Sequence, residues 1–307
     1  MVFQNPKIKY YRIRTFGERL NVSFDYLRET WKPMLKFSLY LILPICLIQA
    51  FAINAVMRSA LIFGVAESGR SLATFAATYG VYFLCLLFGS ALLSALVYAL
   101  MQAYEQRETR LTDIRWADFK PLLIRNFKKA LGLSLLAFGV VLVYGLLAGV
   151  MAALAPWSLF FTILLLLVAT IVLIVPFTIM LPLYIFEDIP LTHAVRRAFS
   201  FGFEAWGGTF LVIFIFGLLA NIISSVTMMP WYIVTLVGSI LGISGAGGIE
   251  SQLWYMFLIY VLGIIQSYGL YVSSIITAVG YAFQYFHLRE KREGVSVQDS
   301  ILNFDKL

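Results

Sequence analysis

Charge is what this 307-residue chain withholds. Six long apolar stretches, at 34–56, 76–103, 130–154, 159–186, 209–229 and 253–286, hold no Asp, Glu, Lys, Arg or His apart from Lys36 at the entrance of the first. Charged residues are only 13% of the chain and hydrophobic residues 61%, where a soluble domain has about a quarter charged and half apolar. That excludes an ordinary soluble core. Each stretch reaches the roughly 20 residues that a helix needs to cross the hydrocarbon of a bilayer. Cysteine is nearly missing too: Cys46 and Cys85 both lie inside apolar stretches, which excludes a disulfide framework and any metal-ligand spacing. The two histidines, His193 and His287, sit at span edges without a partner pattern for nucleophilic or acid–base catalysis. No P-loop, His-Glu-x-x-His or Gly-x-Ser-x-Gly occurs. No catalytic residue, cofactor or metal is therefore expected. The charge-free spans also argue against ion-coupled transport, which generally relies on intramembrane carboxylates, histidines or basic residues.

What the chain does have is basic and lopsided. Of its 23 Lys and Arg, all but Arg58 and Arg70 fall in segments that a six-span topology places on one side. Those segments are the amino terminus, the 104–129 loop, Arg196 with Arg197, and a tail holding Arg289, Lys291, Arg292 and Lys306. The positive-inside rule then puts both termini in the cytoplasm. The expected organisation is an amphipathic cytoplasmic segment at 1–33, a six-span membrane domain at 34–287 and a cytoplasmic tail at 288–307. The polar, basic start lacks the layout of a cleaved secretory signal, so the first span is expected to serve as its own insertion signal. Residues 231–243 are apolar but short and glycine-rich, which predicts a re-entrant or interfacial segment; a seventh crossing would carry the basic tail outside. Basic residues beside spans contact anionic headgroups of the inner leaflet, so membrane lipid is the expected partner, with a protein partner open and nucleic acid not expected.

The basic segments also carry helical periodicity. Thr15 and Glu18 have capping-box spacing, and Phe16, Leu20, Phe24, Leu27 and Trp31 follow as one apolar stripe. After Thr192, the positions Val195, Ala198, Phe199, Gly202, Phe203 and Trp206 repeat the pattern with Arg196 and Arg197 off the stripe. In the tail, Ser296 and Asp299 again have capping-box spacing, ahead of Ile301 and Phe304. Pro121 predicts a short helix, a break, and then entry into the third span at Leu122. The fold class that results is an all-α integral membrane protein of three two-helix hairpins, each preceded by a cytoplasmic amphipathic helix.

Two groups of residues stand out as candidate sites. Glu187 and Asp188 beside Arg196, Arg197 and Trp206 form a candidate cytoplasmic interaction surface, although acids at the start of a helix also answer to its dipole. Within the membrane, Pro176 and Pro182 predict a kink in the fourth span, either a hinge or a packed bend. Asn221 and Gln266 line a polar cavity or bond between helices.

A span ending in Pro182, then Glu187, Ala194, Arg196, Arg197, Phe201 and Trp206, together with the charged run Leu288-Arg-Glu-Lys-Arg-Glu-Gly294, resembles the YciC-like six-span bacterial membrane proteins. It also resembles the membrane domain attached to some glycerophosphodiester phosphodiesterases. Ala198 departs from the serine usual in that group. The resemblance, confined mainly to 182–208 and 285–300, implies a multi-pass inner-membrane protein with both termini inside, and nothing in the chain resembles the phosphodiesterase catalytic domain. The leading expectation is a non-enzymatic scaffold or accessory protein working through its cytoplasmic face. The alternative is a permease or flippase for a neutral or lipidic substrate, and an intramembrane enzyme ranks last because no nucleophile and base can be named.

Overall fold

Inside a bilayer each backbone N–H and C=O has to bond within its own segment, so charge-free stretches of this length form helices. A computed structural model describes residues 6–63, 72–155, 157, 159–243 and 252–297. Seven helices dominate: α1 (Phe16–Phe63), α2 (Leu72–Gln106), α3 (Trp116–Leu154), α4 (Leu159–Phe186), α5 (Leu191–Glu204), α6 (Trp206–Ile243) and α7 (Leu253–Glu293). No strand occurs among the described residues. All but α5 are long and apolar enough to cross a membrane, and the chain is an all-α, multi-pass membrane protein. The tail positions Asp299, Ile301 and Phe304 lie outside the described residues.

The helices are longer than their spans, and three expected breaks are absent. The amphipathic stretch after Thr15 runs without interruption through Pro33 into the first span as one 48-residue helix. Its start is the capping box: Thr15 N–H donates to Glu18 Oε2 at 2.8 Å and Glu18 N–H to Thr15 Oγ1 at 3.4 Å. Pro121 falls in the second turn of α3 and does not end it. Residues 231–243, expected to be re-entrant or interfacial, instead continue α6 through Pro230. For Pro230, inside the apolar α6, the reason is that in a membrane helix the alternative to tolerating one lost donor is exposing several backbone groups to hydrocarbon. Pro33 and Pro121 lie ahead of their apolar stretches, where each removes one donor from a helix carried by its other bonds. Of the three expected amphipathic helices, only α5 stands as a separate element.

The bundle is arranged around α7, which packs on α6, α1, α2 and α4. Small residues on or against it permit the close crossings. A Cβ on Gly280 would lie 2.5 Å from the ring of Phe216, one on Gly269 2.1 Å from Thr227 Oγ1, and one on Gly89 of α2 2.2 Å from the Tyr271 hydroxyl. At the basic end the core is aromatic. Tyr10 stacks on Phe286 at 4.8 Å, meets Phe283 edge-on at 5.6 Å, and lies beside Tyr26 and Tyr104. Residues 6–15 form an irregular strap there: Tyr10 Oη donates to Met101 O at 2.9 Å, Lys7 Nζ to Glu105 O at 2.7 Å, and Arg14 N–H to His287 Nδ1 at 3.1 Å. The hairpin α3–α4 lies at the side, α3 packing on α2 and α4 on α5 and α7, with a buried amide link in which Asn126 donates to Gln102 at 2.9 Å.

The face that α1 buries is not its apolar stripe. Arg19, Ser23, Tyr26 and Thr30 turn inward, whereas Phe24 and Trp31 are 43% and 51% exposed. Three of these inward polar groups find partners: Ser23 and Thr30 bond back to carbonyls one turn earlier, and Arg19 reaches Gln284, whose amide donates to Thr209 at 2.8 Å. The buried Tyr26 hydroxyl has none among the described residues. Phe24 and Trp31 of the stripe are left facing outward, whereas Leu27 packs against the core.

Candidate interaction surface at the basic end

The turn between α4 and α5 creates the central charge of this end. Asp188 takes φ of 54°, a left-handed conformation that a short polar side chain tolerates, and so ends α4 and redirects the chain to Pro190, the N-cap of α5. Glu187 is thereby turned inward, its side chain only 4% exposed. Arg197 Nε lies 2.8 Å from Glu187 Oε2, Tyr285 Oη donates to Oε1 at 3.0 Å, and Arg289 Nε is 3.9 Å from the same oxygen. Glu293 completes the group, paired with Arg197 and 3.2 Å from Arg289 Nε. Arg289 also donates to Tyr11 Oη at 3.1 Å. Two carboxylates thus face two guanidinium groups, and the cluster braces α4, α5, α7 and the amino-terminal strap. Burial pushes the Glu187 carboxyl above the usual carboxylate range, with Arg197, Tyr285 and Arg289 opposing that rise.

Asp188 serves a second, more exposed brace. Lys129 Nζ lies 2.5 Å and Arg125 3.5 Å from its carboxylate, and Lys129 donates also to Tyr184 O at 2.9 Å. The hydrogen bond and charge of Lys129 hold the Asp188 carboxyl below its ordinary value. Arg292 stacks over Phe201 at 4.7 Å and reaches Ser200 at 3.0 Å, tying the end of α7 to α5. On the opposite flank Glu29 of α1 holds Arg110 at 2.8 Å.

The five residues singled out for this surface therefore divide. Glu187 and Arg197 are brought together in the inner cluster, and Asp188 is paired with α3. Arg196 is exposed. Trp206 turns back into the fold, donating through Nε1 to Val172 O at 3.2 Å and stacking on Phe210 at 4.9 Å. The intramembrane candidates divide similarly. Pro176 is the contact point for α5: a Cβ on Gly202 would sit 2.8 Å from its Cα. Pro182 lies inside an α4 that continues past it. Asn221 is exposed on α6, whereas Gln266 is buried on α7, its Oε1 without a hydrogen-bond donor among the described residues.

Several polar links escaped the sequence. Trp231 Nε1 donates to Asn54 Oδ1 at 2.9 Å, joining α6 to α1, and Tyr271 Oη donates to Gln49 Oε1 at 2.6 Å. Their signal was residue type alone, an amide or indole at membrane depth that needs a partner. The strap at 6–15 had a weaker one, the pair Tyr10-Tyr11 set among cations. No family model, curated protein or solved structure matches the chain.

Proposed function

We propose that this protein is a non-enzymatic membrane scaffold or accessory protein whose working surface is the basic end, lying on the cytoplasmic side of a cell inner membrane. The likeness to YciC-like proteins belongs to the same proposal. The observation that carries it is the cross-bracing by Glu187, Arg197, Arg289 and Glu293, with Tyr11 bonded to Arg289, which joins four chain segments into one fixed platform. Outside that brace, Lys32, Lys120, Lys128 and Arg196 are exposed, a basic rim suited to anionic lipid or an acidic partner. Charge reversal at Lys120, Lys128 and Arg196 should leave insertion and thermal stability unchanged while stripping co-purifying lipid or protein from native membranes. Full retention of everything that co-purifies with the unaltered chain would sink the proposal.

One observation favours the permease reading instead: Gln49 Nε2, Gln266 Oε1 and Ser267 Oγ are buried without hydrogen-bond partners among the described residues, as groups lining a water-filled path would be. A Gln266→Cys chain lacking Cys46 and Cys85 tests it. Labelling by a membrane-impermeant thiol reagent would support a path, and protection would support a packed bundle.

A further inference from the structure

We infer that α1, α7 and the amino-terminal strap form a binding site for one anionic glycerophospholipid, with its acyl chain in an apolar groove and its phosphate in an adjoining basic hollow. This deepens the proposal that the basic end is the working surface and rests on it. The groove, about 740 Å³, is walled by Phe24, Leu27, Trp31 and Leu35 of α1 and by Val272 and Ile276 of α7. Its outer wall is formed by Phe24 and Trp31, the stripe residues that α1 leaves exposed. Along α1 it extends from Asn21 to Leu35, about 21 Å at helical rise, longer than the roughly 15 Å of hydrocarbon in one leaflet.

The hollow, about 480 Å³, lies against the strap and is lined by Lys7, Lys9, Arg12, Arg14 and Glu18. Asn21 and Asp25 line both spaces, so the two are continuous. Several of these charges are engaged: Lys7 and Arg14 donate to backbone carbonyls and Glu18 is held in the capping box. Lys9 and Arg12, both exposed, make no ion pair among the described residues, and neither does Arg28 on the groove wall. These cations outnumber the one acid of the two spaces that is not held in a cap, Asp25, which at the junction offers an acceptor to a headgroup hydroxyl. An apolar channel opening into a cationic pocket matches a molecule with an acyl chain, a phosphate and a hydroxylated head. A peptide is a poorer occupant, because the deep wall at Met34, Leu35 and Val272 belongs to membrane spans, where peptide backbone would meet hydrocarbon unsatisfied.

The test is native mass spectrometry of the delipidated full chain with phosphatidylglycerol and phosphatidylcholine in competition. The unaltered chain should retain phosphatidylglycerol preferentially. Lys9→Gln with Arg12→Gln, both on exposed side chains, should lower that preference roughly thirtyfold, about fivefold for each cation. Phosphatidylglycerol carrying brominated chains should quench tryptophan emission, and Trp31→Phe should remove most of the quenching. Equal retention of the two lipids by the unaltered chain, an undiminished preference in the double variant, or quenching that survives in Trp31→Phe would each overturn the site. A protein that still co-purifies after such a result would leave the basic end as a working surface and overturn the lipid site alone.

Discussion

The outer part of the α3–α4 hairpin and the α7 region are built from similar residues and placed in opposite surroundings. In the most apolar window of α3 no residue is buried, and in that of α4 22% are; Leu146, Leu147, Leu154, Phe160 and Leu165 are all more than half exposed. On α7, by contrast, Tyr271, Val279, Phe283 and Phe286 are buried, although α7 is less apolar by hydropathy than either helix of the hairpin. Lipid is as apolar as leucine, so an aliphatic side chain gains little by leaving it for the bundle interior, and packing is settled by small residues, aromatic shape and polar links. Hydropathy therefore reports which segments enter the membrane, whereas glycines, tyrosines and amides report which of them meet.

That contrast predicts a graded set of effects. Phe283→Ala, which opens a cavity among Tyr10, Tyr26 and Phe286, should cost about 3–5 kcal/mol and lower the thermal unfolding temperature in detergent more than a substitution at Glu187, Asp188 or Leu146. Glu187→Ala should cost about 2–3 kcal/mol, because it leaves the two guanidinium groups of Arg197 and Arg289 sharing Glu293 as their one carboxylate at a partly buried position; high salt should recover little of the loss, and a large recovery would show the brace to be a surface effect. Asp188→Asn should cost no more than about 0.5 kcal/mol at neutral pH, since its carboxylate is largely exposed. Because the folded state holds the Asp188 carboxyl below its ordinary value, its contribution is present above the usual carboxylate range and disappears as pH falls through the folded value. Unfolding temperatures of the two proteins should therefore converge as the pH is taken below the usual carboxylate range. Leu146→Ala, on the exposed face of α3, should change stability by less than about 0.5 kcal/mol; a loss comparable to that of Phe283→Ala would mean that α3 is covered by another chain.

The spans were legible because a charge at membrane depth is costly, so the runs without one stand out at any window. The capping box at Thr15 and Glu18 was legible because it is a local exchange of two hydrogen bonds. Continuity through Pro33, Pro121 and Pro230 was not, since proline weighs against a helix locally, whereas at Pro230 the bilayer's demand for satisfied backbone is global and at Pro33 and Pro121 the rest of a long helix outweighs one lost bond. The stripe on α1 was visible, but its direction was not: the inward face carries Arg19 and Thr30, whose burial depends on Gln284 and on the preceding turn rather than on apolarity. At the candidate surface, Glu187 and Arg197 were recognised as neighbours along the chain. Their partners Arg289 and Glu293 come from α7, and a turn at Asp188 that no periodicity announces is what brings them within reach.

The strap at 6–15 joins a segment made early in synthesis to α7. Tyr11 accepts a hydrogen bond from a residue 278 positions later, and Tyr10 packs on Phe286. At roughly 5–20 residues per second of synthesis, the strap waits about 14–56 s for its site to exist. During that interval Tyr10 and Tyr11 lack the partners that α7 supplies, so a helix made late in synthesis is the one that fixes residues 10–14 in place.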